Sequence, residues 1–202
     1  MKKIFAILCV AALLVSLVAC GGETAAKKED GKYNIGIVQF LPHPALDQAT
    51  QGFKDALVEE FGENVTFDEK NAGGDVSVCN TSVNSLVSAK VDLIMANATP
   101  AVAAAYGATS VIPILGTSVT EYGVALGIEN FNGLVGANVS GTSDLADLEM
   151  QAQMIIDWCP DAANVGLLYC STEANSRYQV DEVERILTEK GLTCKQIGRA
   201  HV

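Results

Sequence analysis

The sequence predicts an α/β fold whose first lobe is a doubly wound parallel sheet in a three-layer αβα arrangement. Short apolar segments that suit buried strands alternate with longer segments whose apolar residues recur at helical spacing. Turn residues separate the segments, and residues that favour helix N-termini open several helical patterns. Parallel strands joined by helices require right-handed crossovers, which place helices on both faces of the sheet.

The first strand–helix unit occupies residues 32–62. Residues 33–40 concentrate apolar β-forming residues, as expected for a buried parallel strand. Pro44 begins a helical pattern, and Gly62 stands where a C-cap is expected. Ligands of open α/β sheets bind beyond the carboxyl ends of the strands, beside helix N-termini. We therefore expect residues 39–47 to lie at a ligand site.

Three further strands and two helices complete the first lobe, which we expect to span residues 32–139. The predicted strands are residues 65–70, 91–96 and 112–115. One helix is capped by Asp75, and the other begins at Thr99 and Pro100. The hydroxyl of Thr99 is expected to cap its helix.

A truncated second lobe of the same kind is expected at residues 140–195. The segment from Gly116 to Gly141 is rich in Gly, Thr, Ser and Asn, and the strand–helix pattern then restarts. The predicted elements are a helix at 145–159, a strand at 163–169 and a helix at 177–190. We interpret residues 196–202 as a non-native tail, because they resemble the translation of a sequencing adapter.

The N-terminus has the pattern of a bacterial lipoprotein signal. Lys2 and Lys3 precede an apolar segment at residues 4–18, and residues 17–20, Leu-Val-Ala-Cys, resemble a lipobox. The pattern predicts a signal peptide at residues 1–19, a lipid anchor at Cys20 and a flexible tether at residues 20–31. An ordinary signal peptide or a single membrane anchor is the alternative.

The net charge, the motifs and the number of histidines argue against several classes of function. The net charge of −11 argues against nucleic acid and anionic membrane surfaces as partners. The sequence has no P-loop, HExxH, GxSxG or dinucleotide GxGxxG motif. With only His43 and His201, a multi-histidine metal site is not expected, and we expect no cofactor.

The remaining cysteines are Cys79, Cys159, Cys170 and Cys194, and none has a C-x-x-C spacing. We favour the interpretation that these four residues are reduced thiols. A disulfide stays open as the alternative, since four cysteines of an exported chain allow three connectivities.

Six short motifs follow one another in the order typical of one family. They are Gln39-Phe40, His43-Pro44-Ala45-Leu46-Asp47, Asn97-Ala98-Thr99-Pro100-Ala101, Thr117-Ser118-Val119-Thr120, Gly141-Thr142-Ser143-Asp144 and Glu173-Ala174-Asn175-Ser176. With them, residues 32–195 resemble the ABC-transporter substrate-binding lipoproteins that include tryptophan- and tyrosine-binding members. The resemblance implies a type I periplasmic-binding-protein fold that closes around a small solute and presents it to a membrane permease. One departure is Cys170-Ser171, where relatives more often carry Asn-Pro.

The candidate ligand-binding residues follow predicted strands or precede predicted helices. They are Gln39, Phe40, Thr99, Pro100, Ser118, Thr120, Asp144, Asn175 and Ser176. Thr99 and Pro100 are expected to recognise a ligand carboxylate at a helix N-terminus, and Asp144 is expected to pair with an amine unless it only caps a helix. Phe40 would stack on an aromatic ligand or pack in the core. The resemblance assigns Asn175 and Ser176 to the second lobe's side of the cleft.

The sequence is therefore interpreted as an extracytoplasmic, lipid-anchored solute-binding component of an ABC importer, without catalytic activity. By resemblance, an aromatic or related amino acid is the leading ligand class. The alternative is a ligand-sensing subunit for a membrane receptor. A third possibility is an enzyme whose acid–base candidates are Asp47, Asp144 and Glu173, but no nucleophile–base pair is visible.

Overall fold

The computed structural model describes residues 31–199. The predicted signal peptide, the anchor at Cys20 and most of the predicted tether lie outside the described residues. The described part contains a five-stranded parallel sheet and a two-stranded parallel sheet, and helices pack against both.

The chain alternates strands and helices from end to end. The first lobe contains β1 (Tyr33–Gln39), α1 (Pro44–Phe61), a 3-10 turn (Gly62–Asn64), β2 (Val65–Asn71), α2 (Val76–Ser88), β3 (Leu93–Asn97), α3 (Thr99–Ala108), β4 (Ile114–Val119), α4 (Tyr122–Leu126) and β5 (Val139–Ser143). The second contains α5 (Leu148–Trp158), β6 (Asn164–Cys170), α6 (Ala174–Glu189) and β7 (Thr193–Arg199).

The first sheet has the strand order β2-β1-β3-β4-β5, and all of its pairs are parallel. Its central strands are buried on both faces, which explains their nearly continuous apolar sequences. Leu86 of α2 packs with Ile94 in one core, and Phe53 of α1 packs with Ile37 and Met95 in the other. The predicted doubly wound, three-layer lobe is thus confirmed.

The carboxyl side of this sheet differs from the sequence prediction. Strand β4 continues to Val119, so Ser118 lies inside a strand, at a register shift, rather than in the loop that was expected. Strand β5 pairs with β4 and crosses the predicted lobe boundary at residue 139. The sequence of β5 is polar and mostly exposed, so it carries no apolar alternation by which a strand could be recognised.

The second lobe has a smaller core. Leu148 and Ala152 of α5 pack with Leu167 of β6 and with Ile186 and Leu187 of α6. The predicted helix, strand and helix correspond to α5, β6 and α6, and the strand β7, which was not predicted, pairs in parallel with β6.

Two boundaries of the second lobe also differ from the prediction. Asp147 caps α5, accepting a hydrogen bond from the Met150 N–H at 2.9 Å, so Asp144 is not the cap of that helix. Strand β7 runs to Arg199, into the segment predicted as a tail. Its Gln196 donates hydrogen bonds to carboxylates of α6.

Two further findings on the described residues concern membrane-spanning helices and cysteines. No helix among residues 31–199 has the length and hydropathy needed to span a membrane. In the same range Cys79, Cys159, Cys170 and Cys194 are free thiols.

Candidate functional site

A cavity of about 170 Å³ lies where the carboxyl edge of the first sheet meets the second lobe. Ten residues line it: Phe40, Gly74, Val76, Thr99, Pro100, Ala103, Ala125, Thr172, Glu173 and Ala174. Thr172 and Glu173 belong to the loop between β6 and α6, Ala174 is the first residue of α6, and the others belong to the first lobe. The cavity is therefore a cleft between lobes, at the end of the sheet where parallel α/β folds bind ligands.

Three helices begin at this cavity. Val76, Thr99 and Ala174 are the first residues of α2, α3 and α6, and all three line it. The first turn of a helix presents backbone N–H groups that have no partner within the helix, together with a partial positive charge. The cleft therefore favours a negatively charged or hydrogen-bond-accepting group.

Side-chain caps separate these helices into two classes. In residues 31–199 the N-termini of α1, α2, α4 and α5 are capped by the side chains of His43, Asp75, Glu121 and Asp147. The N-termini of α3 and α6 have no side-chain cap. Both uncapped ends line the cleft, one from each lobe.

Helix α3 begins from an unusual backbone conformation. Ala98 has φ 89° and ψ 156°, a region that only glycine adopts readily, at a cost of about 1–3 kcal/mol. The Ala98 N–H donates to the Thr117 carbonyl at 3.0 Å, and its carbonyl accepts from the N–H of Ala101 and of Val102. These bonds hold the strained residue, and with it the start of α3, in place.

Thr99 is not the cap that its sequence position suggested. It is the first helical residue, because the Ala98 conformation already ends the strand. Thr99 is 5% exposed, it lines the cleft, and its hydroxyl has no hydrogen-bond partner. Pro100 has no N–H, so α3 offers the Thr99 hydroxyl and backbone N–H to the cleft.

Helix α6 begins three residues earlier than predicted, so Asn175 and Ser176 lie in its first turn. The Ser176 hydroxyl accepts a hydrogen bond from the Cys170 N–H at 3.0 Å, which ties the helix to the end of β6. The Asn175 Oδ1 atom is buried without a partner. Asn97 Oδ1 and Thr99 Oγ1 are the other buried side-chain oxygens of this kind among the described residues. Buried polar atoms are nearly always paired. Of the three, only the Thr99 hydroxyl belongs to a residue that lines the cavity, so it is the one that a ligand in the cleft can contact.

Gln39 belongs to a hydrogen-bond network inside the first lobe. It is 5% exposed and donates to the Leu41 carbonyl at 2.9 Å and to Asp47 Oδ1 at 2.6 Å. Its Oε1 accepts from the Thr50 hydroxyl at 2.7 Å, which in turn accepts from Asn97 Nδ2 at 2.9 Å. The network joins β1, α1 and β3, and it occupies the polar atoms of the Gln39 side chain.

Of the candidate residues, only Phe40, Thr99 and Pro100 line the cavity. The lining does not include Gln39, Ser118, Thr120, Asp144, Asn175 or Ser176. Ser118 has φ 54° and is half-buried, and Thr120 is buried with its carbonyl accepting from the Ser143 hydroxyl at 2.7 Å. Asp144 is exposed. Burial and then the Asp144 charge raise the pKa of Tyr122 to about 12.

The predicted ligand-binding residues did not include several that line the cavity, among them Val76, Ala103, Thr172, Glu173 and Ala174. Val76 could have been predicted, because Asp75 was recognised as a cap and the first residue of that helix lies at the same edge of the sheet. Glu173 and Ala174 belong to a motif that the sequence analysis recognised, but they were not assigned to the site because the predicted start of α6 was three residues late.

The chemistry of the lining suits binding rather than catalysis. Phe40, Val76 and Pro100 supply apolar surface, while Thr99 and Glu173 supply polar groups. Cys79 lies against the Pro100 carbonyl, with Sγ and O 4.0 Å apart, and burial raises the pKa of this thiol to about 11. It is therefore a protonated core residue at neutral pH. No group of three or more His, Cys, Asp or Glu in residues 31–199 could hold a metal ion.

Comparison with known proteins shows what the chain resembles. Residues 34–199 match the sequence profile of the family described as ABC transporter substrate binding protein. A tyrosine-binding protein of Clostridioides difficile (strain R20291) is 38% identical in an alignment of 222 positions that covers 98% of this chain and 63% of that protein. This chain thus spans less than two thirds of its relative's length.

Two solved structures that resemble this chain differ in their ligand state. An ABC domain from Streptococcus pneumoniae in complex with L-Trp is 32% identical, with a TM-score of 0.76 over 83% of this chain and 57% of that chain. A ligand-free, open substrate-binding protein from Clostridium difficile is 34% identical, with a TM-score of 0.62 over 84% of this chain and 58% of that chain. At similar identity, the chain is closer in structure to the ligand-bound protein.

Proposed function

The chain belongs to the family of ABC transporter substrate-binding proteins, and from this premise we propose that it binds a small zwitterionic solute, an aromatic amino acid, between its two lobes. The observation that carries the proposal is the meeting of the two uncapped helix ends, α3 and α6, at one cavity. Each contributes unpaired donors from a different lobe, so an anionic group between them contacts both lobes at once. Binding then favours lobe closure.

The amino acid carboxylate suits the helix ends. The first turn of α6 offers the N–H groups of Ala174, Asn175 and Ser176, and α3 offers the Thr99 hydroxyl. A carboxylate accepts several such hydrogen bonds, and charge-assisted bonds are the strong ones. This assignment explains why a buried hydroxyl is kept at residue 99 without a partner in the protein.

The aromatic part of the ligand suits the apolar wall. Phe40, Val76 and Pro100 present ring and aliphatic surface, and Ala103 and Ala125 add small side chains that leave room beside it. Aromatic rings pack favourably on such surfaces. Relatives that bind tyrosine and L-Trp support this ligand class.

We further propose that the solute is delivered to an ABC permease for import and that no chemical step occurs on the protein. The protein is extracytoplasmic in this proposal, held to the membrane by a lipid on Cys20, which lies outside the described residues. Family membership supports the transport role. The lipobox-like sequence at residues 17–20 supports the anchor.

Thermal unfolding of the chain with a panel of amino acids tests this function. A ligand at 100 times its Kd stabilises the folded state by about 2.7 kcal/mol, which raises the Tm by about 5–10 °C for a chain of this size. We expect this rise with L-tryptophan or L-tyrosine and none with L-lysine or D-ribose. Cooperative unfolding without a shift for any aromatic amino acid would contradict the proposal.

A further inference from the structure

A short connection, residues 144–147, joins the two lobes. It follows β5 of the first sheet and precedes α5 of the second lobe. Domain closure is absorbed by a few residues in connections of this kind. The contacts that fix the start of the connection therefore affect the distance between the helix ends of α3 and α6.

The start of the connection is held by hydrogen bonds to the residues around the end of β4. The Asp144 N–H donates to the Val119 carbonyl at 3.0 Å. The Ser143 hydroxyl donates to the Thr120 carbonyl at 2.7 Å and accepts from the Leu145 N–H at 3.2 Å. Ser143 thus bonds to the first lobe on one side and to the connection on the other.

Tyr122, the first residue of α4, contacts the same strand. Its side chain is buried, and its phenol donates a hydrogen bond to the Thr142 carbonyl of β5 at 3.3 Å. The phenol oxygen lies against Gly116 and Gly141, which are paired residues of β4 and β5. A Cβ atom added at either glycine would overlap this oxygen, so the two glycines create the space that the phenol occupies. Because burial and then the Asp144 charge raise the pKa of Tyr122 to about 12, the phenol is a hydrogen-bond donor at neutral pH.

Helix α4 also contacts the cleft and the second lobe. Ala125 of α4 lines the cleft. The same helix packs against α6, whose first residue lines the cleft from the other lobe. The Tyr122 side chain therefore links the strand that leads into the connection to the helix against which the second lobe packs.

We propose that Tyr122 is a positioning residue for solute binding: together with Ser143 it fixes the connection and α4, so that the ends of α3 and α6 lie where one solute contacts both. The inference rests on the proposed function and assigns a role to two residues that do not line the cleft. Without the phenol hydroxyl the chain still folds, but the connection adopts more conformations. The affinity then falls with the fraction of molecules whose lobes are arranged for binding.

The test combines calorimetric titration with L-tyrosine and with L-tryptophan and small-angle X-ray scattering, on the wild-type chain, Tyr122→Phe and Ser143→Ala. Tyr122→Phe keeps the ring and removes the hydroxyl, and Ser143→Ala removes the second side-chain bond. We expect the Kd to rise about three- to tenfold in each variant, as for one lost hydrogen bond. The radius of gyration of each variant should exceed that of wild type without ligand and equal it at saturating ligand.

Asn138→Ala is the matched control, because Asn138 lies at the opposite end of β5. Its side chain donates to the carbonyls of Thr109 at 3.0 Å and Ile112 at 2.7 Å. Loss of these bonds should lower the Tm of the chain, whereas the Kd should stay within about twofold of wild type. An effect on affinity that comes from lower stability alone would appear in this variant as well.

The outcomes separate the inference from the function on which it rests. If wild type binds neither amino acid, the proposed function fails and the inference fails with it. If wild type binds one of them and Tyr122→Phe has the wild-type Kd and radius of gyration, the function stands and the inference is overturned. The inference is equally overturned if Asn138→Ala weakens binding as much as Tyr122→Phe does.

Discussion

Two sets of polar groups can be compared, one at the carboxyl edge of the first sheet and one at the first turns of α3 and α6. In the first set, Gln39, Thr50 and Asp75 bond to other groups of the chain. In the second set, the hydroxyl of Thr99 and Oδ1 of Asn175 are buried without a partner, and α3 and α6 begin without a side-chain cap. The first set stabilises the fold, and we propose that the second set binds the solute. Substitutions should therefore divide in the same way, into those that lower stability and those that lower affinity.

The largest loss of stability is expected from Thr50→Val. This change removes the hydroxyl that donates to Gln39 Oε1 and accepts from Asn97 Nδ2, and it leaves buried amide groups unpaired. An unsatisfied buried polar group costs about 1–3 kcal/mol, so urea denaturation should show a loss of about 2 kcal/mol or more. Thr66→Val, at an exposed hydroxyl, is the control and should change the free energy of unfolding by less than about 0.5 kcal/mol. Equal losses of unfolding free energy in the two variants would show that the buried network at Thr50 contributes no more to stability than an exposed hydroxyl does.

The second prediction concerns the side-chain cap of α2. Asp75→Ala removes the acceptor for the N–H groups of Ser77 and Val78, and it should lower the free energy of unfolding by about 1 kcal/mol. Asp75→Asn keeps a side-chain acceptor at the same position, so its free energy of unfolding should lie within a few tenths of a kcal/mol of wild type. An equal loss in Asp75→Asn would show that the carboxylate stabilises the fold by something other than capping.

A third prediction concerns affinity. Thr99→Val keeps the shape of the side chain but removes its hydroxyl, so affinity for L-tryptophan should fall by about two- to tenfold, as for one lost hydrogen bond. The free energy of unfolding should stay the same or rise, because a buried hydroxyl without a partner is replaced by a methyl group. Thr99→Ser should retain most of the affinity. Reduced stability with unchanged affinity would show that the Thr99 hydroxyl stabilises the fold, as the side chains of Gln39 and Thr50 do, and does not bind the solute.

The smallest expected effect is a gain in stability from Ala98→Gly. Glycine adopts φ 89° and ψ 156° without the strain that alanine carries there, while its greater freedom in the unfolded chain offsets part of the gain. The net increase should be up to about 1 kcal/mol in urea denaturation. Ala104→Gly, inside α3, should instead lose about 1 kcal/mol. A loss at residue 98 as well would show that the backbone there is relaxed.

The architecture of the fold was predictable because its signals are local. The apolar strands β1 and β3, the proline at the start of α1 and the cap at Asp75 each specify an element from a few neighbouring residues. Strand β5 was not predictable, since its stability comes from pairing with β4 and not from its own polar sequence.

The site was predictable only in part, for a related physical reason. Phe40, Thr99 and Pro100 follow from the rule that ligands bind at strand ends, and all three line the cleft. Whether a polar side chain is paired or unpaired depends on distant partners: Gln39 meets Thr50 on another element, and Thr99 meets none. Sequence spacing carries no information on such pairing, so the sequence could not show that the Gln39 side chain is paired and the Thr99 hydroxyl is not.

The most direct test of the account is an amide chemical-shift titration of the ¹⁵N-labelled chain with L-tryptophan. We predict the largest changes at Thr99 and at Ala174, Asn175 and Ser176, the first residues of α3 and α6, with small changes in the first turns of the capped helices α1 and α5. Changes confined to the capped ends, or saturable binding that leaves the first turns of both α3 and α6 unperturbed, would contradict the claim that the uncapped helix ends hold the solute.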